Sequence, residues 1–333
     1  MKTIKINISD QQLMKLNVDG QIIINIGNKK NELTDDTKGN EDFIDIIVRY
    51  ANSLQQTGNL RTAETYLAAK NQLQKFRDDT PLPLKAVTQE LMDRFQSYLR
   101  SRNLTKNSIS FNMRILRSAY NRAVRQGLVE DALPFKFVYT GQDKTAKRAL
   151  TTEQLRNIAR LKIDDHELRF ARDLFIMSFY LRGMSFVDMA YLKTSNLRDG
   201  ILTYKRRKTG QKLTIGWEEP MQAIVERYHQ PSSPYLLPII HHENGKERNQ
   251  YRHQQTKVNV LLKEVARRAG ISQNLTMYCA RHTWATTARE LQVPMNIISR
   301  AMGHTDEKTT EIYIRSVDSS AVDRVNRQII DLI

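Results

Sequence analysis

LTMYCARHTWATTARELQVPMNIISRAMGHTDEKTTEIYIR, residues 275–315, is the stretch from which the chemistry and much of the architecture of this chain can be worked out. It brings Arg281, His304 and Tyr313 into one short, mostly helical segment. An arginine fork matches the oxygens of a phosphate, a histidine can donate a hydrogen bond to one, and a tyrosine hydroxyl can attack the phosphorus. The stretch therefore predicts a phosphate-handling site that upstream residues must complete.

Other residues of this stretch receive structural interpretations. His282 follows Arg281 inside the predicted helix, and we interpret it as a side chain that holds a neighbouring helix or carbonyl. Thr309 and Thr310 are predicted to cap or shape the turn that carries Tyr313.

The composition limits the classes of protein to which the chain can belong. It has 333 residues, 40% of them hydrophobic, which is enough for two domains with real cores and is unlike a disordered or fibrous protein. Lysine and arginine number 52 against 36 acidic residues, a formal net charge of +16. So large an excess favours a polyanionic partner, although a merely basic enzyme is the alternative.

The sequence lacks targeting and metal-binding signals. No apolar run reaches the length that spans a membrane, and MKTIKINISD lacks the apolar core of a signal peptide, so we expect a cytoplasmic location. Cys279 is the single cysteine, which excludes an internal disulfide, and no histidine–cysteine cluster has the spacing of zinc ligands.

The first forty residues differ in pattern from those that follow. IKINI and IIINI are short strand-like runs, divided by Asp19-Gly20 and followed by a polar stretch. We predict a small hairpin or a flexible arm at residues 1–40, and we find no catalytic chemistry there.

A helical period begins at Glu41 and predicts four helices in residues 41–137, the last from about Ser108 to a cap at Gly127. That last helix has an apolar stripe and a polar flank. The flank consists of Arg114, Arg117, Asn121 and Arg125. A basic helical region without catalytic groups is typical of a DNA-gripping domain, although arginines beside an apolar stripe often only cover it with their stems.

Residues 138–149 lack periodicity and are basic, with Lys144, Lys147 and Arg148 as candidate DNA contacts, so we predict a linker here. Thr151 followed by Gln154 predicts a capping box that opens the first helix of a second domain, residues 150–318.

Two further groups of this second domain could complete the site. Arg182 follows an apolar helix, where a charge is costly without a partner, and Asp188 is the nearest candidate to orient it. A purely structural Arg–Asp pair is the alternative. The alternating segment at 201–217 predicts a two-stranded hairpin that turns at Thr209-Gly210. Lys208 near its tip could give a proton to a leaving oxygen, or it could be a solvated charge.

The order and spacing of these motifs resemble the tyrosine recombinase (phage integrase) family of site-specific recombinases. The resemblance lies in KTG at 208–210, ARHTWAT at 280–286 and MGHTDEKTTEIYIR at 302–315, and it covers roughly residues 42–320. It implies a mainly α fold with a small antiparallel β-sheet, in which a helical core-binding domain at 41–137 and an α+β catalytic domain at 150–318 form a C-shaped clamp on DNA.

The resemblance also implies roles for individual residues. Tyr313 would be the nucleophile, Arg281 the second catalytic arginine, His304 the histidine near the nucleophile, and Lys208 the general acid. The product would be a 3′-phosphotyrosyl link that stores its energy for rejoining, and neither a metal nor a nucleotide cofactor is implied.

Two positions depart from the family pattern. Ser185 stands where the first catalytic arginine is expected, and Tyr278 stands where the box histidine is expected. Arg182 lies three residues before Ser185, close to one helical turn, so we predict that Arg182 replaces the arginine and that Tyr278 replaces the histidine as a hydrogen-bond donor.

The resemblance implies a function of cutting and rejoining DNA at specific sites, giving integration, excision or inversion. The expected partners are double-stranded DNA and further copies of the chain, as a tetramer on DNA with a monomer in solution as one option, and a DNA-bending accessory protein is left open. Residues 319–333 predict a tail helix, and the resemblance implies that this helix docks on a neighbouring copy, with docking on its own domain as the alternative. The alternatives are a type IB topoisomerase-like activity and a catalytically impaired DNA-binding protein of the same fold.

Overall fold

The computed structural model describes residues 39–143, 148–228, 230–304 and 309–311, together with the backbone alone of residues 307–308 and of three strands between residues 4 and 25. The chain divides into two compact units, Met1–Lys144 and Thr145–Ile333. Throughout the described residues the fold is mostly helical with two small antiparallel sheets, which confirms the predicted fold class.

The first unit contains three strands and four helices. They are β1 (Ile4–Ser9), β2 (Gln12–Leu16), β3 (Ile22–Asn25), α1 (Phe43–Gln56), α2 (Leu60–Phe76), α3 (Gln89–Ser101) and α4 (Lys106–Arg125). The strands form one antiparallel sheet in the order β1-β2-β3, in which the two strand-like runs recognised in the sequence, β1 and β3, flank an additional middle strand. The middle strand, QLMKL, was missed because it does not alternate strictly between apolar and polar residues.

The four helices share one core, and side-chain caps begin α1, α3 and α4. Asp42 accepts a hydrogen bond from the backbone N–H of Ile44 at the start of α1, and Thr105 accepts one from Ser108 at the start of α4. The apolar stripe of α4 packs into the core as predicted, and Tyr120 at its centre is 1% exposed. Burying a large apolar side chain of this kind contributes about 1.5–3 kcal/mol to the stability of the unit.

The second unit contains eight helices and three strands among the described residues. They are α5 (Thr152–Arg160), α6 (His166–Tyr180), α7 (Phe186–Ala190), β4 (Leu197–Arg198), β5 (Ile201–Lys205), β6 (Lys212–Gly216), α8 (Glu219–Tyr228), α9 (Glu247–Arg268), α10 (Met277–Glu290), α11 (Met295–Ala301) and α12 (Glu307–Glu311). The predicted capping box is confirmed at α5, since Thr151 and Gln154 exchange backbone-to-side-chain hydrogen bonds of 3.1 and 2.9 Å.

The sheet of the second unit has three strands, in the order β4-β5-β6, rather than the two that were predicted. The extra strand β4 pairs with β5 across a two-residue turn, Asp199-Gly200, in which both residues have positive φ (50° and 69°). That geometry is typical of a tight hairpin turn and of an Asp-Gly pair. The signal was therefore in the sequence, but a strand of two residues is too short to show a period.

The core of the second unit is built around α6, whose residues from Leu168 to Ser178 are nearly all buried. The chain leaves α6 through Arg182 and Gly183, both in left-handed conformations, and passes against α10. A β-carbon on Gly183 would lie 2.6 Å from Cα of Arg281. Only a glycine allows this close approach, which brings the end of α6 to the arginine of α10.

Within the part of the chain that the structure describes, no helix has the length and apolar character that crossing a membrane requires.

Candidate active site

The side chain of Arg281 lies at the centre of the candidate site. It is 4% exposed on α10, and its guanidinium donates through Nη1 to the carbonyl of Gly183 at 2.7 Å. Its Nη2 donates to the carbonyl of Met302 at 2.7 Å and contacts Nε2 of His304 at 2.8 Å. Arg281 therefore joins the end of α6 to the segment between α11 and α12.

The imidazole of His304 is 7% exposed, and its hydrogen bonds define its protonation. An arginine has no acceptor, so Nε2 must accept from Arg281, and Nδ1 carries the hydrogen and donates to Oγ1 of Thr310 at 2.8 Å. Burial, together with the charges of Arg281, Arg206 and Lys208, lowers the pKa of His304 from its ordinary value to about 4. His304 is therefore neutral at neutral pH.

Gly303, directly before His304, is required by its surroundings. Its φ is +67°, and a β-carbon there would lie 2.8 Å from Cδ1 of Leu213 on β6 and 3.3 Å from Cδ of Arg206. The glycine allows the β5–β6 hairpin to pack directly against the backbone before His304.

Arg206 follows β5 and belongs to the same cluster, although the sequence analysis did not predict it. Its side chain is 8% exposed, and its Nη1 donates to the carbonyl of Gly303. Residues 202, 204 and 206 lie on one face of the strand, because successive side chains alternate, and Leu202 on that face is fully buried. An arginine at an inward-facing position of an alternating strand was the signal that could have found it.

Lys208 lies two residues further on, in the loop between Arg206 and Gln211, whose backbones are joined by a 2.8 Å hydrogen bond. The loop contains the predicted turn residues Thr209 and Gly210. Lys208 is exposed, and its charge contributes to the lowered pKa of His304.

Ser185 and Asp188 have structural partners. Ser185 is the N-cap of α7, and its hydroxyl donates to Oδ2 of Asp188 at 2.6 Å. Oδ1 of Asp188 accepts the backbone N–H of Arg207 at 2.8 Å. The expectation that Asp188 orients Arg182 was wrong, because the carboxylate is turned toward the hairpin loop. Arg182 is half-buried, and its Nη1 donates to the carbonyl of Thr214 on β6 at 3.3 Å.

Tyr278 and His282 form a ring pair on α10. Their ring centroids are 5.1 Å apart in an edge-to-face arrangement, Tyr278 is 47% exposed, and His282 is 8% exposed. The buried position of His282 agrees with its structural interpretation. The exposed phenol of Tyr278 lies one helical turn before Arg281.

Tyr204 is a further residue of the cluster that the sequence analysis did not select. Burial raises its pKa to about 12, the carboxylate of Asp188 acts in the same direction, and the charges of Arg281, Arg206 and Arg182 oppose the rise. The phenol is therefore protonated at neutral pH, and the charges of three arginines act on it.

Several predicted residues fall outside the described structure. Tyr313, Lys144, Lys147 and the tail 319–333 belong to this group. Thr310, three residues before Tyr313, is fully buried and holds the imidazole of His304.

The polar flank of α4 lies mostly at the surface. Arg114, Asn121 and Arg125 are exposed and Arg117 is half-buried. None of these arginines forms an ion pair among the described residues, whereas the neighbouring Arg122 lies over the ring of Tyr50 at 4.3 Å. Arg148 of the predicted linker is exposed.

No group of three histidine, cysteine or acidic side chains that could hold a metal ion occurs among the described residues.

Two consecutive regions of the chain match models of known protein families. Residues 42–138 match the family model of the phage integrase SAM-like domain, and residues 148–320 match the model of the phage integrase family. Tyrosine recombinase XerA of Pyrococcus furiosus is 25% identical over 284 residues, which cover 73% of this chain and 96% of that protein. Tyrosine recombinase XerC of Pediococcus pentosaceus is 24% identical over 278 residues, covering 76% and 86%.

Solved structures share the fold. A Tn1549 transposon integrase in complex with a circular intermediate DNA has a TM-score of 0.65 at 15% identity, covering 86% of this chain and 99% of that chain. A lambda integrase tetramer bound to a Holliday junction has a TM-score of 0.64 at 14% identity, covering 92% and 95%.

Proposed function

This chain belongs to the phage integrase family, and from that membership we propose that it is a site-specific tyrosine recombinase, which cuts DNA and rejoins the ends through a 3′-phosphotyrosyl intermediate. The observation that carries the proposal is the hydrogen bond of 2.8 Å between Arg281 and His304. It joins the arginine of α10 to a histidine that also holds Thr310, three residues before Tyr313.

The proposed reaction uses Tyr313 as the nucleophile. Its phenol oxygen forms a bond to phosphorus while the bond from phosphorus to the 5′ oxygen breaks. The phenol proton leaves, and the neutral imidazole of His304 is a candidate acceptor once Nε2 is released from Arg281. Lys208 gives a proton to the departing 5′ oxygen. A 5′ hydroxyl of another strand then reverses the sequence, so no external energy source is needed.

The guanidinium of Arg281 supplies preorganised positive charge for the phosphate. Arg182 and Tyr278 are also candidates for binding the phosphate. The sequence predicted that they replace the missing arginine and the missing histidine. Tyr278 has an exposed phenol one turn before Arg281, which is consistent with a donor role. Ser185 and Asp188 support the site by positioning the hairpin, and His282 by packing.

The basic flank of α4 is proposed to grip DNA phosphates. Its members and the linker residues are Arg114, Arg117, Asn121, Arg125, Lys144, Lys147 and Arg148. The absence of ion pairs on the three α4 arginines, within the described part of the first unit, leaves their charge available to phosphates. The proposed domains are a core-binding domain at 41–137, a linker at 138–149 and a catalytic domain at 150–318.

Double-stranded DNA is the proposed partner, and the active assembly is a homotetramer on it. The Tn1549 and lambda integrases are bound to DNA in their structures, and the lambda integrase is a tetramer on a Holliday junction, which supports this proposal. The tail at 319–333 would dock on a neighbouring copy. A protein that acts on DNA works in the compartment that holds it, which fits the expected cytoplasmic location.

A pool of nicked duplexes of random sequence tests the function without knowledge of the target. After cleavage, the short segment between the cleavage position and the nick carries the released 5′ hydroxyl and diffuses away. The phosphotyrosyl adduct therefore accumulates. We expect the chain to form an adduct that survives detergent and whose duplexes converge on one sequence, and we expect none with Tyr313→Phe. Absence of a tyrosine-dependent adduct from the parent chain would mean that it binds DNA without cutting it.

A supercoiled plasmid that carries two copies of the recovered sequence separates recombination from relaxation. Exchange of the flanking segments is the expected product. Relaxed plasmid without exchanged segments would instead indicate a topoisomerase.

A further inference from the structure

We propose that Arg206, at the end of β5, is the second arginine that binds the scissile phosphate and so takes the part of the absent arginine at position 185. The proposal rests on the proposed function, and it concerns a residue that neither the motifs nor the resemblance selected.

The guanidinium groups of Arg206 and Arg281 converge on one short segment. Arg281 donates to the carbonyl of Met302, and Arg206 donates to the next carbonyl, that of Gly303. Both carbonyls directly precede His304. The two arginines come from different elements, a helix and a hairpin, and still meet beside the same imidazole, which is the arrangement that a doubly coordinated phosphate needs.

The burial of Arg206 without a counter-ion among the described residues indicates that its charge has a function. The chain neutralises another buried arginine, Arg172, with the adjacent carboxylate of Asp173. Arg206 is buried to the same degree but has no ion pair with a carboxylate anywhere in the described structure, and its hydrogen bond to Gly303 leaves the positive charge uncompensated. A buried cation without a counter-ion is costly, and an incoming phosphate removes that cost.

The hairpin is positioned so that Arg206 faces the site. Asp188 accepts the backbone N–H of Arg207, next to Arg206, and Gly303 leaves room for the Arg206 side chain at 3.3 Å. The hydroxyl of Ser185 is bound to Asp188 and is too short to reach a phosphate from α7. Asp188 therefore links Ser185, which stands at the position of the absent arginine, to the backbone of Arg207, next to the buried Arg206.

Arg182 is less well placed for this role. Its guanidinium donates to the carbonyl of Thr214 on β6 at 3.3 Å, whereas Arg281 and Arg206 donate to the two carbonyls that precede His304. The three cations that lower the pKa of His304 are Arg281, Arg206 and Lys208, which agrees with the geometry.

The test compares two versions of the nicked duplex recovered from the random pool. One has the natural phosphate at the cleavage position, and the other has a methylphosphonate, in which an uncharged methyl group replaces one charged oxygen. A group that stabilises negative charge matters less on the neutral substrate, whereas a group that only supports the fold matters equally on both. The variants are Arg206→Ala, Arg206→Lys, Arg182→Ala and, as a control on the same hairpin, Lys205→Ala.

We expect Arg206→Ala to form the adduct about 100-fold or more slowly on the phosphate in a single turnover and to recover most of that loss on the methylphosphonate. Arg206→Lys should be intermediate, and Lys205→Ala should be close to the parent. An equal loss on both substrates, a normal rate for Arg206→Ala, or a substrate-dependent loss confined to Arg182→Ala would overturn the proposal.

A measurement without DNA separates this proposal from the proposed function. Inorganic phosphate binding, followed by phosphorus NMR, should weaken in Arg206→Ala and Arg206→Lys but not in Lys205→Ala. If the parent chain forms no adduct yet binds phosphate through Arg206, the recombinase function fails while Arg206 remains a phosphate ligand. If phosphate binding is unchanged in both Arg206 variants, the assignment of Arg206 is wrong.

Discussion

The guanidinium of Arg281 donates a 2.8 Å hydrogen bond to Nε2 of His304, and this bond makes the imidazole an acceptor at the centre of the site. The same ring donates to Thr310, so one neutral histidine connects α10 with α12. This connection requires the unprotonated ring.

Stability should therefore fall in acid in a way that depends on His304. The ordinary pKa of 6.5 applies in the unfolded chain, and the pKa in the folded chain is about 4. Between these values the unfolded chain binds a proton that the folded chain does not, so the free energy of unfolding decreases as the pH is lowered. Urea denaturation at about pH 7 and about pH 5 should show a larger decrease for the parent than for His304→Gln. Parallel decreases would contradict the lowered pKa.

Gly183→Ala should displace the backbone of α10 at Arg281 and so disturb the site. The new methyl group would lie 2.6 Å from Cα of Arg281, a backbone atom that cannot turn away. Gly245→Ala is the matched control, because its φ is also positive, at +77°, and nothing lies within 4 Å. We expect Gly183→Ala to cost about 1–3 kcal/mol more than the control in the free energy of unfolding and to slow adduct formation. An equal decrease in the free energy of unfolding for the two variants would show that α10 shifts at little cost to accommodate the methyl group.

Asp188→Ala should loosen the catalytic hairpin. The change removes the acceptor of the Arg207 N–H and of the Ser185 hydroxyl, and a buried group left unsatisfied costs about 1–3 kcal/mol. Amide hydrogen exchange at Arg207 should accelerate, and adduct formation should slow while DNA affinity is kept. Ser185→Ala, which leaves the bond to Arg207 in place, should protect that amide as the parent does. Unchanged exchange in Asp188→Ala would mean that other contacts hold the loop.

The double variant Arg114→Ala/Arg125→Ala tests the flank of α4. If both side chains contact phosphates, the slope of log affinity against log salt should decrease in magnitude by about 2, with weaker binding to every sequence. Arg267→Ala/Arg268→Ala removes the same charge from arginines that are paired with Glu264 and should change the slope little. Equal effects of the two double variants would indicate a general charge effect instead of a contact surface.

Removal of residues 320–333 tests the role of the tail. If the tail docks on a neighbouring copy, the shortened chain should still form the adduct on a single nicked duplex but should assemble two duplexes poorly. Native gel electrophoresis with two labelled duplexes measures the assembly directly. Undiminished pairing of the duplexes would place the docking elsewhere.

The limits of sequence reasoning here have physical reasons. Arg281 and His304 lie in one short segment, so local spacing predicted their proximity, and the helices with long apolar stripes were predicted for the same reason. Arg206 and Asp188 depend on contacts between elements that are distant in the chain, and period and spacing carry little information about those. Asp188 was assigned to Arg182, six residues away, because a nearby opposite charge was the simplest partner, but its acceptors are used by Ser185 and by the backbone of Arg207.

Arg206 and Lys208 lie two residues apart at the end of one hairpin, the first buried and the second exposed. With the roles proposed above, a permanent charge for the phosphate and a transferable proton for the leaving strand would be carried by a single loop. With the proposed roles, a contact that shifts this loop would displace both groups together. The position of this one loop would then determine when each DNA strand is cut.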